Sequence, residues 1–175
     1  MRGVVLVTGV MAAGKSTVAQ ALAERLPRAV HVRGDIFRRV IVSGREEYGP
    51  DAGAEAEAQL RLRYRLSALT ADEYAKAGFT AVVQDVVLGE HLRQYVSSVR
   101  TRPLYVVVLA PSPEAVAERE AARAKAGYGA WTVADLDRSL RVETPRIGLW
   151  LDTSELTVSE TVDAILSGRD EARVG

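Results

Sequence analysis

The sequence contains no cysteine and no asparagine, and only two histidines, His31 and His91. Without cysteine there is no disulfide framework and no thiolate nucleophile or metal site. Two histidines without clustered partners do not make a structural zinc site. Without asparagine the chain lacks the Asn-Lys-x-Asp reader of guanine that a GTPase switch normally uses. Charge of one sign is missing as well, because 23 Lys and Arg balance 23 Asp and Glu. That balance argues against non-specific nucleic-acid binding. No stretch approaches the roughly 20 apolar residues that span a bilayer. Arg2 and Lys15 bracket an apolar run too short for an export signal. The expectation is a cytoplasmic protein of one domain, residues 1–175, a monomer or homodimer with neither a nucleic-acid nor a membrane partner. No internal repeat and no separating linker divides it.

Short Val-, Leu- and Ile-rich runs alternate with helical stretches, the pattern of an α/β protein built on a buried parallel sheet. Strands are predicted at Gly3–Thr8, Ala29–Val32, Thr80–Gln84, Leu104–Leu109 and Ile147–Leu151. Ser112-Pro113-Glu114, Thr132–Asp135 and Thr157–Glu160 read as helix starts. Gly168 reads as a stop, with Arg169–Gly175 fraying beyond it. The segment Ser43–Ala58 carries turn residues and leads into a helix ending near Ala77. On that helix Leu62, Leu66 and Leu69 are expected to face the core. Arg61, Arg63 and Arg65 diverge by about 200° per alternate residue, cannot share one narrow face, and are expected in solvent. His31 is expected to be packed or hydrogen-bonded, and Trp131 and Trp150 to pack.

One motif is complete. Gly9-Val10-Met11-Ala12-Ala13-Gly14-Lys15-Ser16-Thr17 follows the first predicted strand and opens a helix. It fits G-x-x-x-x-G-K-[ST], a loop whose backbone N–H groups cradle nucleotide phosphates. In it Lys15 reaches the β- and γ-phosphates, and the Ser16 hydroxyl is placed to bind Mg²⁺. A domain this small carries little of the apparatus of a motor, and a kinase remains. A kinase needs a carboxylate on the acceptor side and positive charge over the transferring group. Asp35, ending the second strand, is the candidate for the first, or it only caps the next helix. Arg38 stands one turn on, suited to an anionic group or to orienting Asp35. Asp85 ends the third strand and suits either Mg²⁺ or the acceptor. Arg119 and Arg123, at i,i+4, suit a phosphate lid or an ordinary solvated face.

With these residues assembled, the sequence resembles the P-loop kinases of the chloramphenicol-phosphotransferase type, themselves similar to gluconate, adenylyl-sulfate and zeta-toxin kinases. VVQDVVLGE, residues 82–90, resembles that family's third strand and turn. EAVAEREAARAKAG, residues 114–127, resembles its lid, and GDIFR, residues 34–38, is closer to the zeta-toxin and adenylyl-sulfate groups. The resemblance implies a three-layer α/β/α fold with a five-stranded parallel sheet, a lid over about residues 114–131, and ATP as donor. It implies that Asp35 is the acceptor-side base, that Arg119 and Arg123 contact the phosphates, and that Trp150–Glu155 lies beside the adenine. The expected activity is transfer of phosphate to a hydroxyl of an antibiotic, sugar acid or similar metabolite. A nucleoside or nucleotide kinase, a zeta-type toxin and a nucleotide-dependent binding module are the alternatives.

Overall fold

A computed structural model describes residues 1–122 and 130–175; Arg123 and the part of the expected lid from 123 to 129 lie outside the described residues. Five strands form a parallel sheet: β1 (Val4–Gly9), β2 (Ala29–Arg33), β3 (Thr80–Gln84), β4 (Leu104–Leu109) and β5 (Leu149–Leu151), in the order β2-β3-β1-β4-β5. Every residue of β1, β3 and β4 is buried, which a continuous apolar run requires and which cover on both faces supplies. Helix α1 (Lys15–Arg25) packs on β1, β2 and β3. The long α3 (Ala54–Lys76) packs on β2 and β3 and against α4 (His91–Ser98). The short α2 (Ile36–Arg39) follows β2 and touches α3. Beyond β4 come α5 (Pro113–Ala121), α6 (Val133–Arg138) and a π-helical turn, Ser139–Glu143. After β5, α7 (Val158–Ser167) packs on α1.

Three helix starts are built as their residues predict. Ser112 accepts from Ala115 N, and Thr132 with Asp135 and Thr157 with Glu160 form complete capping boxes. The C-terminus departs from expectation. Arg169–Ala172 forms a helical turn, α8, and Arg173–Val174 a short strand, β6, antiparallel to Leu104–Tyr105. β5 pairs only with Val107–Leu109, so the start of β4 would otherwise be an open edge, and β6 closes it.

Helix α3 also presents a different face from the one predicted. Its buried residues are Ala56, Tyr64, Ser67, Ala68, Ala71 and Asp72, whereas Leu62 and Leu69 are exposed. The polar members of this face are all bonded. Tyr64 Oη donates to Val86 O at 2.7 Å, Ser67 Oγ lies 3.1 Å from Tyr95 Oη, and Asp72 accepts from Arg100 N and Thr101 N. Small residues let α3 approach the sheet closely, and the paired polar atoms remove the cost of burying them.

Candidate active site

β1 lies between β3 and β4, so the chain leaves it in opposite directions on either side and a crevice opens at the strands' C-terminal ends. The Gly9–Thr17 loop fills one wall of that crevice. Ala12 sits at φ 60° and Gly14 at φ 87°, both left-handed, a conformation that turns successive N–H groups inward. Helix α1 has no side-chain cap and no acid in its first turn, unlike the three capped helices above. Its first N–H groups and its positive end are therefore left for an external anion. Lys15, 7% exposed, lies back over the loop with Nζ donating to Val10 O at 2.6 Å.

Ser16 Oγ donates to Gln84 Oε1 at 2.9 Å. Gln84 went unnoticed in the sequence because an amide has no charge to mark it, yet this contact is what positions the Ser16 hydroxyl. A hydroxyl that ligates a cation keeps its proton, and Gln84 supplies an acceptor for it. Ser16 itself is exposed, and Mg²⁺ in nucleotide sites takes few protein ligands. The residues fit a Mg–nucleotide complex on this count, although no group of three His, Cys, Asp or Glu residues among the described residues encloses a metal.

The opposite wall is made by the ends of β2 and β3, tied by Gly34 N donating to Gln84 O at 2.9 Å. Asp35 starts α2 but its side chain caps nothing; Oδ2 accepts from Arg39 at 2.6 Å. Arg38, one turn on, pairs instead with Glu47. Asp85 is wholly buried. Its carboxylate accepts from Arg63 Nε at 2.8 Å and from Arg63 Nη2, and from Val86 N at 2.7 Å. Burial pushes the Asp85 carboxyl up, and Arg63 opposes that shift by holding it ionised; in the other direction Asp85 raises Arg63 against the effect of its own burial. Two guanidinium donors on both carboxylate oxygens are the geometry of a charged pair.

Arg63 is a correction to the sequence reading. Arg61 and Arg65 do face solvent, but Arg63 lies at the edge of the buried face of α3, with its side chain 15% exposed. Gly34 makes the pair possible, since a Cβ there would collide with the Asp85 carboxylate. His31 is hydrogen-bonded as expected, its Nδ1 2.9 Å from Gln20 Oε1, and burial lowers its pKa, helped by Arg33.

On the far side, Arg119 Nη2 donates to Thr153 O at 2.6 Å and Ser154 O at 3.2 Å, fastening α5 to the loop after β5. Beside that junction Thr153 Oγ1 and Trp150 Nε1 are buried without a hydrogen-bond partner. The Arg146 guanidinium stacks 4.1 Å over the Trp150 ring. The structure thus gathers the phosphate loop, Ser16, Asp35 and Asp85 around the carboxyl ends of β1, β2 and β3, and sets Arg119 against the loop after β5.

No curated protein sequence matches the chain. Solved structures match its fold. A sugar kinase from Janibacter sp. HTCC2649, in unliganded form, superposes with a TM-score of 0.72 at 19% identity over 98% of this chain and 96% of that one. The Mycobacterium tuberculosis APS kinase CysC, in complex with AMPPNP and APS, gives 0.69 at 18% identity over 97% and 98%. The Deinococcus radiodurans tunicamycin resistance protein gives 0.68 at 15% identity over 100% and 99%. A family model, AAA_33, described as an AAA domain, matches residues 4–145. With the expected five-stranded parallel sheet and phosphate loop in place, the chain belongs to the AAA_33 family and has the architecture of the P-loop kinases.

Proposed function

We propose that the protein transfers the γ-phosphate of ATP to a hydroxyl group of a small molecule. The observation that carries this reading is Asp35. It follows the end of β2, on the sheet edge that also carries a complete phosphate loop, and its carboxylate pairs with Arg39 and is not spent on capping α2. The neighbours named as sugar, APS and gluconate kinases share the fold, which favours an acceptor of this kind. Lys15 and the loop N–H groups of Met11–Thr17 bind the phosphates. Ser16, oriented by Gln84, would hold Mg²⁺, which supplies charge neutralisation between the β- and γ-phosphates when bound.

In the transfer the acceptor oxygen forms a bond to the γ-phosphorus as the bond to the bridging oxygen of ADP breaks. The hydroxyl proton passes to Asp35, and ADP leaves with the bridging oxygen. Arg39, paired with Asp35, holds that carboxylate in place. Arg119, with Arg123, answers the charge on the phosphates from the lid. Of the two roles open to Asp85, its pairing favours the acceptor side. It fixes Arg63 at the crevice floor rather than reaching a metal.

The test is mass spectrometry of products after incubation with Mg-ATP and a panel of hydroxylated antibiotics, sugar acids, nucleosides and amines. A gain of one phosphate on a panel member is expected, lost at least 100-fold in Asp35→Asn with ATP binding retained. ADP formation indifferent to Asp35, with no phosphorylated acceptor, would move the assignment to a nucleotide-dependent binding module.

A further inference from the structure

Behind the crevice lies a half-open cavity of about 510 Å³ between the 43–53 segment, the loop after β3 and α6. Its walls are rings. Tyr48 lies 6.3 Å from Trp131, with the rings tilted by 33°, and 6.5 Å from His91, edge to face. Pro50 and Leu88 complete the apolar surface. Tyr64 links this cavity to the end of β3: its ring is 5.6 Å from His91 and its hydroxyl bonds Val86 O, one residue past Asp85.

Its charge is the informative property. An acceptor carrying carboxylate or phosphate needs open guanidinium or ammonium groups. Here several arginines on the acceptor side are engaged by carboxylates: Arg38 and Arg45 by Glu47, Arg39 by Asp35, Arg61 by Glu57 and Arg63 by Asp85. Among the described residues, the exposed charges lining the cavity are Glu90, which pairs with Arg93, Asp135, whose carboxylate is held by Thr132, and Glu143, against Arg138. Glu57 lies behind the rings, its carboxylate 3.7 Å from His91 Nε2 and close enough to Tyr48 to add to the upward push that burial gives the phenol. Aromatic faces with carboxylates behind and around them are the surroundings that bind ammonium groups.

Resting on the kinase reading above, we propose that the acceptor is a hydroxylated amine whose ammonium group is held among Tyr48, His91 and Trp131 with Glu57 behind them. The hydroxyl to be phosphorylated then projects toward Asp35. Sugar acids and sulfate- or phosphate-bearing acceptors are selected against, because they would meet paired arginines and a lining in which carboxylates outnumber arginines.

The experiment compares three probes of one shape on the full chain by ligand-observed NMR titration. They are 4-hydroxyphenethylamine, its N-acetyl form and 3-(4-hydroxyphenyl)propionate. The ammonium probe is expected to bind at least 10-fold more tightly than the carboxylate, with the N-acetyl probe between. The preference should shrink with salt and collapse toward unity in Glu57→Gln, and Trp131→Ala should weaken the ammonium probe and spare ATP. Equal or tighter binding of the carboxylate overturns the proposal, as does absence of saturable binding by the ammonium probe. ATP binding that depends on Lys15, measured on the same sample, keeps the two claims separable. Phosphate transfer to a sugar acid would sink the amine assignment and leave the kinase standing, whereas amine binding without transfer would do the reverse.

Discussion

Replacing Arg63 by methionine removes the guanidinium and keeps most of the hydrocarbon stem. Asp85 then retains only the Val86 N–H and has no access to water, being 0% exposed. Breaking a buried ion pair from one side costs about 3–5 kcal/mol, out of about 5–15 kcal/mol for a whole domain. With a urea slope of about 2–3 kcal/mol/M, the unfolding midpoint should fall by roughly 1–2 M at pH 7. The loss must also depend on pH. Without Arg63, burial pushes the Asp85 carboxyl up against only the Val86 N–H and the charge of Lys15, and its folded-state pKa stands above the unfolded one. The penalty is full above the folded pKa and vanishes below the unfolded pKa, so the variant should recover toward wild type between pH 7 and pH 5. Asp85→Asn added to Arg63→Met should cost less than the two single changes summed, because it removes the stranded charge. Equilibrium urea unfolding followed by circular dichroism at both pH values measures all of this. A deficit below about 1 kcal/mol, no relief at pH 5, or simple additivity would refute the pair as described.

Other consequences follow from single contacts. Gly34→Ala drives a Cβ into the Asp85 carboxylate and should cost about 1–3 kcal/mol in thermal or urea unfolding. Lys15→Ala should weaken ATP binding about 10- to 100-fold by calorimetry, the loss of one charged hydrogen-bond donor to phosphate. Removing residues 173–175 deletes β6, uncovers the edge of β4 at Leu104–Tyr105 and should lower stability by about 1 kcal/mol with faster aggregation on heating. Glu160 titrates below its ordinary value because the Thr157 hydroxyl, then its backbone N–H, donates to the carboxylate. That contribution is present above the unfolded pKa and lost as pH falls through the folded one. Thr157→Ala should return the Glu160 titration, followed by NMR, toward 4.5.

What was legible in the sequence is what local chemistry decides. The strand runs were buried on both faces and so carried an unbroken apolar signal. The caps at Ser112, Thr132 and Thr157 lie within three residues of the groups they satisfy. The phosphate loop is likewise a local device, and its place after β1 followed from its own residues. α3 misled because leucines outline a false stripe. The face that packs is Tyr, Ser, Ala and Asp, and its polar atoms find partners 22 to 29 positions away. Hydrophobicity alone cannot mark a face whose burial depends on hydrogen bonds formed so far along the chain.

The same distance hides the acceptor side. Arg63 and Asp85 stand 22 residues apart, and whether that arginine is an open anion receptor or half of a neutral pair decides what chemistry the crevice accepts. The phosphate side is read from motif spacing because every kinase of this architecture handles the same triphosphate, and handles it with backbone N–H groups. The acceptor side has no such common ligand, so its residues follow the partner and not the fold. Its selectivity therefore resides in which charges remain unpaired after folding. In this chain the described lining of the cavity sets Glu90, Asp135 and Glu143 beside aromatic rings, with Arg138 at the rim. The proposed amine acceptor rests on that residue balance, and the Glu57→Gln titration puts it at risk directly.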